Sequence, residues 1–230
     1  MRPLFLPRGC ATLFVATGIA GVLATPASGA AQGRPPQSGK AVRDSVYAAK
    51  ARADSARLPY VEADVFFMQG MISHHAQAIV MAKWAPTHGA SAQVRTLCER
   101  IINAQTDEIG LMQQWLRDRG QTVPEAKPVP MRMKMNGMVM DMLMPGMLSD
   151  AQMQELDAAR DAEFDRLFLR FMIQHHRGAV SMVKELFATD GAGQDELVFK
   201  FASDVNVDQT TEIARMEDML ARTVLGVRAP

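Results

Sequence analysis

Apolar and polar positions in this chain fall into four helical stripes, separated by one long stretch that fits none. Apolar, Asp and His positions at 64, 67, 68, 71, 75, 78, 79 and 82 share one helical face. They predict a helix from Tyr60 to Ala85, with Pro59 at its first turn and Pro86 and Gly89 at its end. A second stripe, Val94, Leu97, Cys98, Ile101, Gln105, Glu108, Met112 and Leu116, predicts a helix from Ser91 to Arg119 that stops at Gly120. The short turn between them makes the two helices antiparallel neighbours. Ser149 and Gln152 form a capping-box pattern that restarts helix, and this third helix ends near Asp190-Gly191. The fourth, from Gln194 to Thr223, carries Phe201, Val205, Gln209, Glu212, Met216 and Leu220 on its inner face.

The stripes are two copies of one pattern. Met71-Ile72-Ser73-His74-His75 returns as Met172-Ile173-Gln174-His175-His176. Asp64, Phe67, Ala78 and Met81 return as Asp165, Phe168, Ala179 and Met182, each 101 residues on. Gln105, Glu108, Ile109 and Met112 return 104 residues on, as Gln209, Glu212, Ile213 and Met216. A helical hairpin is written twice.

Residues 121–148 lie between the copies. Four prolines, Gly137 and Gly146 argue against any regular element there, and eight methionines crowd in. Hairpin, long link, hairpin is the order of an all-α, ferritin-like four-helix bundle with one long crossover. Twenty-eight extended residues reach ~90 Å, whereas a 26-residue helix measures only ~39 Å, so the link can run the length of the bundle. Repeat one is then 59–120, the Met-rich link 121–148 and repeat two 149–225.

The remaining N-terminal residues read as targeting and tether. Arg2 and Arg8 precede an apolar run from Ala11 to Leu23, of secretory-signal length, and Ser28-Gly29-Ala30 offers a cleavage site, so 1–30 reads as a signal peptide. Retention as an anchor is the alternative; no span remains once the signal is removed. Residues 31–58 read as a flexible, partly helical segment. The full chain has 25 basic and 25 acidic residues, which excludes the basic stripe of a nucleic-acid binder. With Cys10 lost along with the signal, Cys98 has no partner for an internal disulfide and reads as a small buried apolar group. The expected compartment is the periplasm or the medium.

The chemistry concentrates in the paired histidines, since only five histidines occur in the chain and four sit in the two pairs. Imidazole suits copper, zinc, nickel and iron, and thioether sulfur selects soft ions such as Cu(I). Met71 and Met172 stand one turn before the pairs. Asp64 and Asp165 are candidates to ligate the ion or to orient a ring. The bland alternative is a set of buried imidazoles bonded to Glu108, Glu212, Gln105 and Gln209 across the bundle. The methionines of the link read both as an apolar strap over the groove and as soft donors. His88 reads as a surface residue, Trp84 and Trp115 as packing.

Three runs, from Asp64 to Ala82, Met144 to Leu156 and Phe164 to Val183, resemble the bacterial domain-of-unknown-function 305 family over roughly residues 60–222. The resemblance implies a ferritin-like, secreted or periplasmic protein, in a family some of whose members bind copper or silver. It implies metal contacts at His74, His75, His175, His176, Met71 and Met172. One departure is Asp161-Ala162 before Phe164, where a Gly-containing break is expected.

The leading expectation is a copper- or silver-binding protein of the periplasm that buffers, carries or confers tolerance and is not an enzyme. Iron or manganese is the alternative, in a di-iron or di-manganese oxidoreductase with Glu108 and Glu212 as ligands, although no Glu-x-x-His occurs. A metal-free envelope module is the third reading. Beyond the ion, the partners left open are a second copy of the chain or a metal-delivery protein.

Overall fold

The structure is a computed structural model that describes residues 60–135 and 138–225. The expected signal peptide, and the tether with its partial helix, lie outside the described residues. Helix α1 spans Glu62–Lys83, α2 Ala92–Asp118, α3 Asp150–Ala158, α4 Asp161–Ala188 and α5 Glu196–Leu225; strands β1 (Met131–Met135) and β2 (Met138–Met142) lie between α2 and α3. The fold is all-α in its architecture. α1 packs on α2, α4 packs on α5, and the two hairpins meet along α1 and α4.

Local signals set the helix ends. Ser91 Oγ accepts the Val94 N–H at the start of α2, and Ser149 and Gln152 exchange the two bonds of a capping box, at 3.3 and 3.0 Å. That box opens only the nine-residue α3, not the whole third helix expected from the sequence. The chain then breaks at Ala159-Arg160, and Asp161 adopts φ 54°, the left-handed region. Asp is among the few non-glycine residues that enter it readily. Asp161 thus stands where the family resemblance leads one to expect glycine, and its N–H donates to His88 O at 2.8 Å.

The link also departs from expectation. Residues 131–142 contain an antiparallel strand pair, with Met131 opposite Met142, Met133 opposite Met140 and Met135 opposite Met138. Its sequence signal is the Asn136-Gly137 dipeptide between two alternating Met/non-Met runs. His88 is a further correction. It is 5% exposed, accepts or donates at Thr87 Oγ1 (2.9 Å) and Asp157 (3.0 Å), and stacks on Trp84.

The core fills the space between hairpins in two apolar clusters. One is built around Phe164, Phe168, Phe171 and Ile101, the other around Met68, Met71, Met112, Trp115 and Leu116. The two clusters lie in different stretches of the bundle, and the four paired histidines belong to neither.

Candidate metal centre

Two adjacent residues on a helix point ~100° apart, so each His-His pair sends one ring toward the opposite hairpin and one toward its own. His74 and His175 are the facing rings, with centroids 3.7 Å apart. His75 reaches Glu108 on α2 at 2.7 Å, and His176 reaches Glu212 on α5 at 2.8 Å. All four side chains are fully buried. The Glu bonds lie within each hairpin, not across the bundle as the bland alternative had it.

Every imidazole uses Nε2 for its bond. His74 Nε2 lies 2.9 Å from Pro145 O, and His175 Nε2 lies 2.9 Å from His74 O. A carbonyl can only accept, so both rings carry their proton on Nε2. The Nδ1 atoms of all four rings are buried without a hydrogen-bond partner. Buried polar atoms are nearly always satisfied, so four orphaned nitrogens in one place signal a ligand. An imidazole whose distal N–H is fixed by an oxygen, with the other nitrogen bare, has the form in which histidine binds metal. As they stand, no three His, Cys, Asp or Glu groups among the described residues converge on a single point. Thioethers lie outside that statement: Met71 and Met172 are fully buried one turn before the pairs.

Burial lowers the pKa of His74 from 6.5 to about 3, with help from the neighbouring His75 and His176. Burial and the other three rings likewise hold His175 well below its ordinary value. Both are therefore neutral and ligand-ready at pH 7. A folded-state pKa below the unfolded one means the unfolded chain binds the extra protons. These two groups therefore contribute stability above pH 6.5 that is lost as pH falls from 6.5 toward 3. Urea midpoints of the metal-free protein should decline between pH 7 and 5, before most carboxylates titrate. His74→Gln with His175→Gln should flatten that slope, and an unchanged slope would refute the assignment.

The Met-rich link crosses directly over the site. Gln77 clamps Leu148 from both sides, donating to its carbonyl at 3.0 Å and accepting its N–H at 2.7 Å. Gln174 donates to Gly146 O at 3.3 Å, and Ser73 Oγ accepts the Val129 N–H at 2.9 Å. A Cβ on Gly178 would stand 1.9 Å from Pro145 O, and one on Gly70 would stand 2.8 Å from Met144 Cε. Met144 and Met147 are buried, so the link is a strap that seals the imidazoles from water.

The strap itself is legible in the link's methionines, but its anchors Gly70, Gln77 and Gly178 are not singled out by the helical stripes, although a signal is present. Gly70, Ser73 and Gln77 have as their 101-residue counterparts Phe171, Gln174 and Gly178. The hairpins agree where they face the imidazoles and disagree along the row that meets the asymmetric strap.

The structure does not bring Asp64 and Asp165 to the cluster. Each lies ten residues before its nearer ring, ~15 Å along a helix. Asp64 accepts the N–H of Gly193 at 2.7 Å and of Val61 at 2.9 Å. Asp165 accepts the Ser91 N–H at 3.2 Å. Each carboxylate thus clasps the inter-helix turn of the other repeat, which ties the hairpins together. Cys98 is buried, and its thiol is pushed up to about 12, chiefly by burial. That is the state of an inert packing group.

Comparison with known proteins finds solved structures of similar fold. The chain is similar to a crystal structure of a DUF305 fragment from Deinococcus radiodurans, at 30% identity and TM-score 0.59, over 71% of this chain and 99% of that one. It is similar to a DUF305 protein of Streptomyces coelicolor, which carries a secreted-protein name, at 29% identity and TM-score 0.59, over 70% and 93%. It is also similar to CopM in its Cu(I)-bound form, at 26% identity and TM-score 0.53, over 71% and 98%. CopM has further been solved in Cu(II)- and Ag-bound forms. No curated protein matches the chain. Residues 64–220 match the family described as Domain of unknown function (DUF305), and with most of its length covered the chain belongs to that family.

Proposed function

We propose that the chain binds copper or silver in the cell envelope and buffers, carries or sequesters the ion without catalysis. The observation that carries this reading is the set of four buried imidazoles with bare Nδ1 atoms on facing helices. The likeness to CopM, solved with Cu(I), Cu(II) and Ag, supports the choice of ion. Bare imidazole nitrogens, with buried thioethers one helical turn before them, make a borderline-to-soft donor set, which favours Cu(I) and Ag(I) over hard ions.

Each group has a role in that reading. Glu108, Glu212 and the carbonyls of Pro145 and His74 hold the Nε2 protons and so aim the rings. Met71 and Met172 supply sulfur one turn away. The strap keeps water out. An envelope location fits the N-terminal pattern, and among the described residues no helix is long and apolar enough to cross a membrane.

The test is titration of the metal-free protein with Ag(I), and with Cu(I) against a competing chelator. Changing His74, His75, His175 and His176 together to Ala should abolish tight binding. Unaltered affinity and stoichiometry in that variant would defeat the reading.

A further inference from the structure

The repeated Gln-x-x-Glu pattern on α2 and α5 does more than aim two histidines. The two helices stand apart, and a cleft of ≈ 220 Å³ opens between them. It is lined by Gln105 and Glu108 from one side and Gln209, Glu212 and Asp208 from the other. Gln105 and Gln209 are only 3% and 4% exposed, and the Oε1 atom of each is buried with no hydrogen-bond partner. Two amide oxygens at repeat-related positions, both unsatisfied, are not explained by the imidazole cluster, whose Nε2 protons already have acceptors. Each Glu offers Oε2 to its histidine, which leaves the other oxygen of each carboxylate outside that bond.

We propose that this cleft is a second cation site, which takes a hard divalent ion such as Mn²⁺, Mg²⁺ or Ca²⁺ and is distinct in chemistry from the buried imidazoles. Amide and carboxylate oxygens are the donors such ions prefer, whereas thioethers and bare imidazoles favour softer ones. No three acidic or imidazole groups among the described residues meet at one point. The protein donors are then the two amide oxygens and the Glu108, Glu212 and Asp208 carboxylates, with water completing the shell, as is common for Mg²⁺-like ions. Partial burial, then the charges of Glu108, Asp204 and Glu212, push the Asp208 carboxyl above its ordinary range. Arg100 and Arg215 also line the cleft; like Asp208 they are exposed, and three carboxylates face two guanidinium groups there. The His–Glu bonds connect the two sites, so the hard ion would fix the carboxylates that orient His75 and His176.

The experiment is a titration of the full chain with Mn²⁺, followed by loss of the free-ion electron paramagnetic resonance signal. A single Mn²⁺ should bind per chain, Ca²⁺ or Mg²⁺ should compete, and prior loading with Ag(I) should not displace it. Gln105→Leu with Gln209→Leu should weaken Mn²⁺ binding by roughly tenfold or more. The double variant should melt no lower than the parent, because it removes two unsatisfied buried acceptors. Asp208→Asn, at an exposed position that threatens no packing, should weaken binding in the same direction, while Asp218→Asn should not. A parent protein that leaves the Mn²⁺ signal untouched overturns the proposal, as do variants that bind as tightly as the parent. Mn²⁺ binding without any Ag(I) binding would sink the copper reading and leave this one standing.

Discussion

Gly178→Ala is expected to cost about 3 kcal/mol and to lower the melting temperature by roughly 6–12 °C. The added carbon would lie 1.9 Å from Pro145 O and 2.6 Å from Gly146 Cα, both backbone atoms that cannot rotate aside. The strap itself must lift. Lifting it strains the His74 bond to Pro145 O and the Gln174 bond to Gly146 O, each worth about 0.5–1.5 kcal/mol net. The same movement uncovers His74, so Ag(I) should exchange faster from this variant than from the parent. Thermal melting by circular dichroism and a chelator-competition time course measure the two effects. A variant that melts within a degree of the parent and releases Ag(I) at the same rate would show that the strap does not close the site. Gly110 supplies the control. It sits in α2 with open space around it, so Gly110→Ala should stabilise by about 0.5–1 kcal/mol.

The second large effect is expected at the far end of the bundle. Asp195 is fully buried and holds together the start of α5 and the end of α2. It accepts the N–H groups of Leu197 and Val198 at 3.0 and 3.1 Å and Trp115 Nε1–H at 3.1 Å, and it pairs with Arg119. The Arg119 side chain is 3% exposed and lies 4.3 Å over the Trp115 ring. Breaking a buried pair by removing one member leaves a buried charge without its counter-ion, at a cost of about 3–5 kcal/mol. Asp195→Ala should therefore lower the urea midpoint severely. Asp195→Asn, which keeps the helix-cap acceptor, should recover part of the loss. Below the unfolding transition, Asp195→Ala should still bind Ag(I) with parental stoichiometry, since Asp195 lies ~26 Å along the helix from Glu212, the partner of His176. Loss of binding in folded Asp195→Ala would mean that the cluster depends on the whole bundle more than its local bonds suggest.

The sequence made the helices, the duplication and the His-centred chemistry legible, because each follows from local spacing. A stripe at the helical period selects the buried face, and a pattern repeated 101 residues later selects the same face in the second hairpin. Expectations failed where the answer depended on what another segment does. Asp64 and Asp165 share a face with the histidines, so periodicity placed them together. Distance along the helix and two inter-helix turns assigned them instead to clasping the opposite repeat. His88 sits in a turn, where a residue is usually exposed, and it is buried by Asp157 of α3 together with the rings of Trp84 and Phe164. The capping box at Ser149 signals where helix restarts but not how long it runs, so it does not show that the helix breaks again at Ala159-Arg160.

The sequence by itself therefore determined that the chain folds as two like hairpins and that two imidazole pairs occupy equivalent positions on them. Tertiary structure alone decided which nitrogen of each ring is left bare, that Met144, Pro145 and Gly146 are the part of the strap that meets the helices there, and that α2 and α5 stay apart to leave an oxygen-lined cleft. The physical reason is range. Helical phase is set by neighbours three and four residues away, whereas a hydrogen-bond partner 71 or 101 residues distant exists only once the crossover has closed the bundle.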